Sequence, residues 1–435
     1  MKPKTLTLTK LIKIYPNNQN KKRIDFYISC RDRIWNNGIY IWEAKYQAHT
    51  VFDKITSIDF IPKKDKHGKI KVRQLNHHLN PSPSWRNVRD EIVAEKNNSD
   101  YLFPAHLIGL TIQDLGKSYQ AFFDKKRPDA RKPKYKDLLT LTGSYKDDQA
   151  SIQKGKLHLT SGSMEKADYS DIRMAEKIPD QKLKTITVIK KDSAYYVAIS
   201  IEKKVMKLMP TGQDDAVDVN TKYYVSTGYK VDVLPKRLNY LYRRIKHYQK
   251  MLAKKRVVNG TKKARQSKNY QTIQAHLRRD HRKVTNLQHD IMQKYTTYLV
   301  KNHDKVVIED LDVKKMLMSH VASKGMHRAM AGYFRKTLEY KCIQYGRELV
   351  VVDRLFPSTQ MCPVCGLVKT GDEKITLRGN KKHHTKHNEF VCYGCGYKAD
   401  RDEKVIPTLM RYSKAMMKNI QKMKKNESNI VKAFA

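Results

Sequence analysis

Apolar and polar residues alternate over the first 15 positions, where Leu6, Leu8, Leu11, Ile12 and Ile14 mark a strand with an irregular edge. From Ile24 the spacing lengthens to three and four. Tyr27, Ile28, Ile34, Trp35, Ile39, Trp42 and Tyr46 fall on one helical face, with Gly38 as its weak point and Arg31, Arg33 and Lys45 on the polar side. An Asn-Pro-Ser-Pro-Ser loop within 77–103 leads into a short helix, and 104–124 is helical again. The run DKKRPDARKPKYKD that follows is basic and punctuated by proline. It suits a solvated loop and a nucleic-acid backbone contact equally well. Alternation returns over 150–205, with a hairpin turning at Lys191 to Ser193, and together with the first strand it predicts a small barrel.

Composition shifts at MPTGQDD, residues 209–215, and the order of elements changes with it. The spacing predicts a strand (216–226), a long helix (236–256), a basic linker, a second long helix (281–302), a strand (305–309), a helix (326–345) and a strand (347–352). This is an α/β layout. Leu238, Leu241, Ile245, Tyr248 and Leu252 form one helical stripe, and Val284, Leu287, Ile291, Tyr295 and Leu299 form another; both read as core. No internal repeat is visible.

At 435 residues the chain is long enough for two or more domains. Its 88 lysines and arginines against 43 acids give a formal charge of +45, which would repel itself in a compact state unless a polyanion neutralises it. Nucleic acid supplies that counter-charge. A membrane role is disfavoured because no apolar run approaches about 18 residues, and the start MKPKTLTLTK lacks a signal peptide's apolar stretch. An intracellular soluble protein is expected.

Three acids follow apolar runs at the ends of separate elements. Asp218 stands in AVDVNTKYYV, Glu309 closes KVVIED, and Asp402 lies in CGYKADRDEKVI before the final helix. Burying an unpaired carboxylate is expensive, and clustering three is more so, unless cations fill the space between them. Two magnesium ions about 3.5–4 Å apart would resolve the conflict and perform phosphodiester hydrolysis. Asp214, Asp215, Asp310, Asp312 and Asp400 compete with these three but sit where a cap or a solvent position explains them.

Four of the six cysteines form two Cys-x-x-Cys-Gly pairs, Cys362/Cys365 and Cys392/Cys395, the form of two zinc knuckles. Four thiolates close a tetrahedral site, so this zinc is structural, and it leads the chain towards Asp402. His383, His384 and His387 in the intervening loop read as solvated histidines, and Cys30 and Cys342 as buried free thiols. Pro407, soon after Asp402, opposes an interior helical position.

The order of these motifs resembles the TnpB family and its relatives, the type V CRISPR effectors. The segments that carry the resemblance are AVDVNTKYYVST, HRKVTNLQHDIMQKYTTYLVKNHDKVVIEDLDVKKM, YKCIQYGRELVVVDRLFPSTQMCPVCG and CYGCGYKADRD, with a looser match at KIYPN and RDRIWNNGIYIWEAKYQ. Relatives usually carry asparagine where this chain has Lys404, and glycine where it has Asn220. The resemblance implies a RuvC-like nuclease domain of RNase H fold at 209–355 and 397–435, interrupted by a zinc ribbon at 356–396. It further implies a β-barrel wedge domain at 1–20 and 140–208 that carries a helical recognition lobe at 21–139. Asp218, Glu309 and Asp402 become the magnesium-binding catalytic acids, and the four paired cysteines the zinc ligands. The implied function is RNA-guided DNA cleavage by a monomeric ribonucleoprotein holding a transposon-encoded guide RNA and reading a short flanking motif in double-stranded target DNA. The alternatives are a nuclease-inactive guided repressor and a miniature CRISPR effector.

Overall fold

The computed structural model describes the chain except for residues 1–4, 53–55, 65–69, 79–81, 98–104, 138–141, 160–170, 193, 261–266, 319–322, 377, 381, 387, 426–430 and 433–435. Contacts divide it into one compact unit of residues 7–202 and another of 1–6 with 203–435. No described helix is long and apolar enough to cross a membrane.

The first unit begins with strand β1 (Thr5–Tyr15) and helix α1 (Asn18–Phe52), followed by the hairpin β2 (Thr56–Lys64) and β3 (Ile70–His78). Helices α2 (Trp85–Asn97) and α3 (Ala105–Phe123) come next. Seven strands follow: β4 (Gly143–Asp147), β5 (Ser151–Gln153), β6 (Lys156–His158), β7 (Ile172–Met174), β8 (Gln181–Lys182), β9 (Ile186–Lys191) and β10 (Ala194–Lys204). They join β1 in an eight-stranded sheet of order β4-β9-β10-β1-β7-β6-β5-β8. The alternation predicted a small barrel. Among the described residues no pairing links β4 to β8, and the sheet stays a half-barrel because its far edge, β8, is only two residues long.

The inward positions of this sheet (Ile12, Ile14, Ile152, Val188, Val197) share one core with α1 and α3. Gly38, the weak point of α1 in the sequence, is where α3 approaches most closely: a Cβ there would lie 2.5 Å from Ile112 Cδ1 and 2.8 Å from Leu115 Cδ2. Its helix-propensity cost is offset by a contact that no other residue type permits.

The second unit holds a five-stranded sheet of β11 (Asp214–Val219), β12 (Tyr223–Ser226), β13 (Tyr229–Asp232), β14 (Lys305–Glu309) and β15 (Glu348–Val352), in the order β13-β12-β11-β14-β15. The first three form an antiparallel meander, and β14 and β15 add in parallel. The single strand expected over 216–226 is therefore a tight hairpin. Asn220 N donates to Tyr223 O (3.1 Å) and Asn220 Oδ1 accepts from Thr221 N (2.7 Å), so the asparagine side chain makes the turn that the uninterrupted apolar pattern concealed.

The parallel strands need long crossovers. The first is the helix pair α4 (Lys236–Asn259) and α5 (Lys268–Asn302), zipped by Leu238, Leu241, Ile245 and Val284. After β14 come α6 (Val313–Met318), α7 (Ser323–Ala329) and α8 (Ala331–Tyr345). The one helix expected over 326–345 is broken because Met330 adopts a left-handed conformation, φ 59°. Two further helices follow, α9 (Val405–Met410) and α10 (Lys414–Lys425). Pro407 occupies the first turn of α9, where an amide has no intrahelical acceptor to lose, so the proline is accommodated.

Candidate active site and metal centre

Val217 pairs with Ile308 across the parallel strands β11 and β14, and one step further along this register stand Asp218 and Glu309. Adjacent in-register positions on parallel strands point to the same face, so both carboxylates leave the sheet at its carboxyl end. Their aliphatic predecessors Ala216, Val217, Val307 and Ile308 are at most 2% exposed and fix the two strand ends. Asp402 arrives from the turn between β18 (Lys398–Asp400) and α9. It accepts hydrogen bonds from Asn220 Nδ2 (3.2 Å) and from the Arg401 guanidinium (3.2 and 3.3 Å), which ties it to the β11–β12 turn.

Asp218 lies within electrostatic reach of both Glu309 and Asp402. Burial pushes the Asp218 carboxyl up to about 7, Glu309 and then Asp402 add to the rise, and Arg401 opposes it. The acids do not form a tight ligand cluster. Among the described residues two groups hold three or more ligand atoms within 4.8 Å of one another: the four paired cysteines, and His106 with Asp147 and Asp148. The three carboxylates are not one of these groups, and their hard oxygen donors would suit a magnesium-sized ion.

The competing acids are each occupied elsewhere. Asp214 pairs with Lys305. Asp215 is fully buried and accepts from Thr227 N (3.0 Å) and Oγ1 (2.8 Å). Burial raises the Asp310 carboxyl, yet Arg335 and Arg354 outweigh it and hold it below the usual range; Arg354 also reaches Asp312 at 3.2 Å. Asp400 Oδ1 accepts from Asp402 N at 2.9 Å and so shapes the turn that presents its neighbour.

Two further side chains complete the surroundings: Ser358, which carried no signal in the sequence, and Lys404, which stood out there only as a departure from the relatives' asparagine. Ser358 donates its hydroxyl to Glu309 Oε1 at 2.5 Å. Lys404 is 1% exposed, and its ammonium donates to the carbonyls of Ser358 (2.6 Å) and Met361 (2.8 Å) and lies 4.2 Å from the Phe390 ring centroid. A cleft of about 640 Å³ opens beside Asp402, lined among others by Asn220, Tyr223, Lys230, Glu403 and Pro407.

The cysteine pairs form two matching knuckles. Cys362 N donates to Leu367 O and Cys392 N to Tyr397 O, both at 2.8 Å, while Gly366 and Gly396 take φ values of 72° and 76° to close each turn. Cys362 and Cys395 sulfurs lie 3.7 Å apart, and Cys365 and Cys392 sulfurs 3.5 Å. A tetrahedron with metal–sulfur bonds of about 2.3 Å has edges of about 3.8 Å, so the spacing fits a zinc site and is far too long for a disulfide. Burial pushes the Cys365 thiol up to about 12, a state that a bound cation would reverse. His383 stands apart from the sulfurs, paired with Glu373 at 2.5 Å and stacked on Tyr393. His384 takes φ 50° in its turn, and His387 lies outside the described residues.

Comparison with known proteins agrees with this layout. A Cas12f1-like TNB domain family matches residues 332–404, and OrfB_IS605, described as Probable transposase, matches 229–320. A Streptomyces pristinaespiralis protein named for RNA-guided DNA endonuclease activity is 28% identical over 297 residues, 67% of each chain. A TnpB-like protein of Acanthamoeba polyphaga mimivirus is 30% identical over 173 residues. The chain is similar to the TnpB family. The TnpB-like viral alignment covers 38% of this chain and 30% of the relative. A solved Cas12f1–sgRNA–target DNA complex is similar in fold to this chain, with a TM-score of 0.50 at 10% identity, over 93% of this chain and 98% of that one.

Proposed function

We propose that this chain is an RNA-guided DNA endonuclease in which Asp218, Glu309 and Asp402 hold two magnesium ions for phosphodiester hydrolysis. One observation carries the reading: the buried Asp218 carboxyl at the carboxyl end of the sheet is raised by both Glu309 and Asp402, which come from two other elements, and Asp402 lines an open cleft. Bound there, magnesium would activate water and neutralise charge developing on the phosphate. The protein's own groups prepare the site. Asn220 and Arg401 orient Asp402, Ser358 orients Glu309, and the backbone of β11 holds Asp218 within the sheet.

The sheet order, three antiparallel strands and then two parallel ones, supports a RuvC-like domain of RNase H type at 209–355 and 397–435. Within the same reading, the cysteine module at 356–396 is a structural zinc ribbon. Residues 1–20 and 140–208 form the wedge domain, and 21–139 the recognition lobe. The relatives' names and the charge of +45 support a guide RNA and target DNA as partners of a monomeric ribonucleoprotein, with affinity that falls steeply with salt.

The test is to purify the chain with its cellular RNA, sequence that RNA and supply matching duplex DNA. Asp218→Ala should leave guided binding intact and abolish cutting. Full cleavage by that variant would remove the site assignment, and guide-independent cleavage by the wild type would remove the guided mechanism.

A further inference from the structure

Lys404 is an expensive residue in its position. Its ammonium is removed from water, and the groups that receive its protons are two neutral carbonyls rather than a carboxylate. An apolar side chain would fill that volume without the desolvation penalty, which in a protein interior amounts to several kcal/mol for an ion. What the ammonium provides is a three-way junction. It starts from the turn that presents Asp402, crosses to the backbone of Ser358 and Met361 just ahead of Cys362, and packs on Phe390 from the second knuckle strand β17 (Glu389–Val391). Ser358, held by its carbonyl, in turn donates its hydroxyl to Glu309.

We infer that Ser358 and Lys404 are positioning residues that set the separation of Glu309 and Asp402 and bind the cysteine module rigidly to that pair of acids. The inference rests on the reading above that these acids hold metal. Carboxylate ligands take their geometry from the groups hydrogen-bonded behind them, and loss of such partners typically costs 10–100-fold in metal affinity. Here the link Lys404 Nζ–Ser358 O and Ser358 Oγ–Glu309 joins two of the three acids through only two side chains, so loosening either one frees the other.

The experiment uses the full chain loaded with its guide RNA and titrates Mn²⁺ without target DNA, following free manganese by electron paramagnetic resonance. Ser358→Ala and Lys404→Met should each weaken Mn²⁺ binding by about tenfold or more, at unchanged zinc content and unchanged guided DNA binding. The double variant should be no weaker than the poorer single one, because both changes break the same link. Asp218→Ala separates the two layers of argument. If it leaves Mn²⁺ binding as in the wild type, the acids are not the metal site and the earlier reading fails. If it abolishes binding while Ser358→Ala binds Mn²⁺ like the wild type, the present inference is overturned. Should Lys404→Met lose zinc or fold, Ser358→Ala alone decides, since removing one hydroxyl leaves the packing in place.

Discussion

Asp218 is paired by geometry with other anions, and this makes it a source of instability in the metal-free protein. Its carboxyl stands at about 7 in the folded chain against an ordinary 3.8, first through burial and then through Glu309 and Asp402. Below about pH 4 the group is protonated folded and unfolded and contributes nothing. As pH rises through the interval to 7, the unfolded chain gives up its proton first, so the folded state loses stability, and the loss is complete above 7. Three units at about 1.4 kcal/mol each give an upper value of about 4 kcal/mol; Asp218 keeps some contact with water, and about 2 kcal/mol is expected. Asp218→Asn keeps the shape and removes the charge. In chelator-treated protein at pH 8 it should raise unfolding free energy by about 2 kcal/mol, with the gain vanishing near pH 4. Urea denaturation across that range measures the difference, and added magnesium should reverse the order by stabilising only the wild type. A variant less stable than the wild type at pH 8 in chelator would show that the acids are not in electrostatic conflict.

Other consequences are open to direct test. On the zinc-ribbon reading, Cys392→Ser should cost hydrogen-exchange protection through 362–404 while β11 and β14 keep theirs, because the small core of Cys362, Ile375, Phe390 and Cys392 would then lose the cation proposed to hold it. Gly325→Ala should destabilise the second unit by roughly 1–2 kcal/mol in urea melts and weaken Mn²⁺ binding, since its Cβ would lie 2.8 Å from Thr221 Cβ in the turn beside Asn220. Burial lowers the Lys341 ammonium to about 8, against 10.5. Between those values the unfolded chain holds the extra proton and stability rises with pH. Lys341→Met should erase about 2 kcal/mol of that rise, read as the wild-type-minus-variant difference between pH 7.5 and 10.

Legibility from the sequence followed the range of the interaction involved. The stripes Leu238–Leu241–Ile245 and Val284 read as core and are core, because helical periodicity is a local property. Asp218 and Glu309 stood out for a similar reason: an acid at the end of an aliphatic strand contradicts its own neighbours. The break at Met330 and the turn at Asn220 escaped because neither carries glycine or proline, the usual marks of such geometry. Between Asp400 and Asp402 the choice came mainly from the family resemblance, and in the structure the two differ in hydrogen bonding: one carboxylate folds back onto the turn while the other reaches across to Asn220.

Lys404 marks the limit of such reading. In the sequence it departs from the asparagine of the relatives that the chain resembles, and beside Pro407 it suggests a damaged closing helix. In the structure the proline costs nothing in a first turn, and the lysine reaches carbonyls 43 and 46 residues away that no local pattern connects to it. The lysine that looks like decay along the chain is, in space, a long arm tying the Asp402 turn to the backbone of Ser358 and Met361. Its effect on cutting therefore depends on whether that arm holds Glu309 and Asp402 at a separation metal can bridge, a property of the junction as a whole rather than of residue 404 alone.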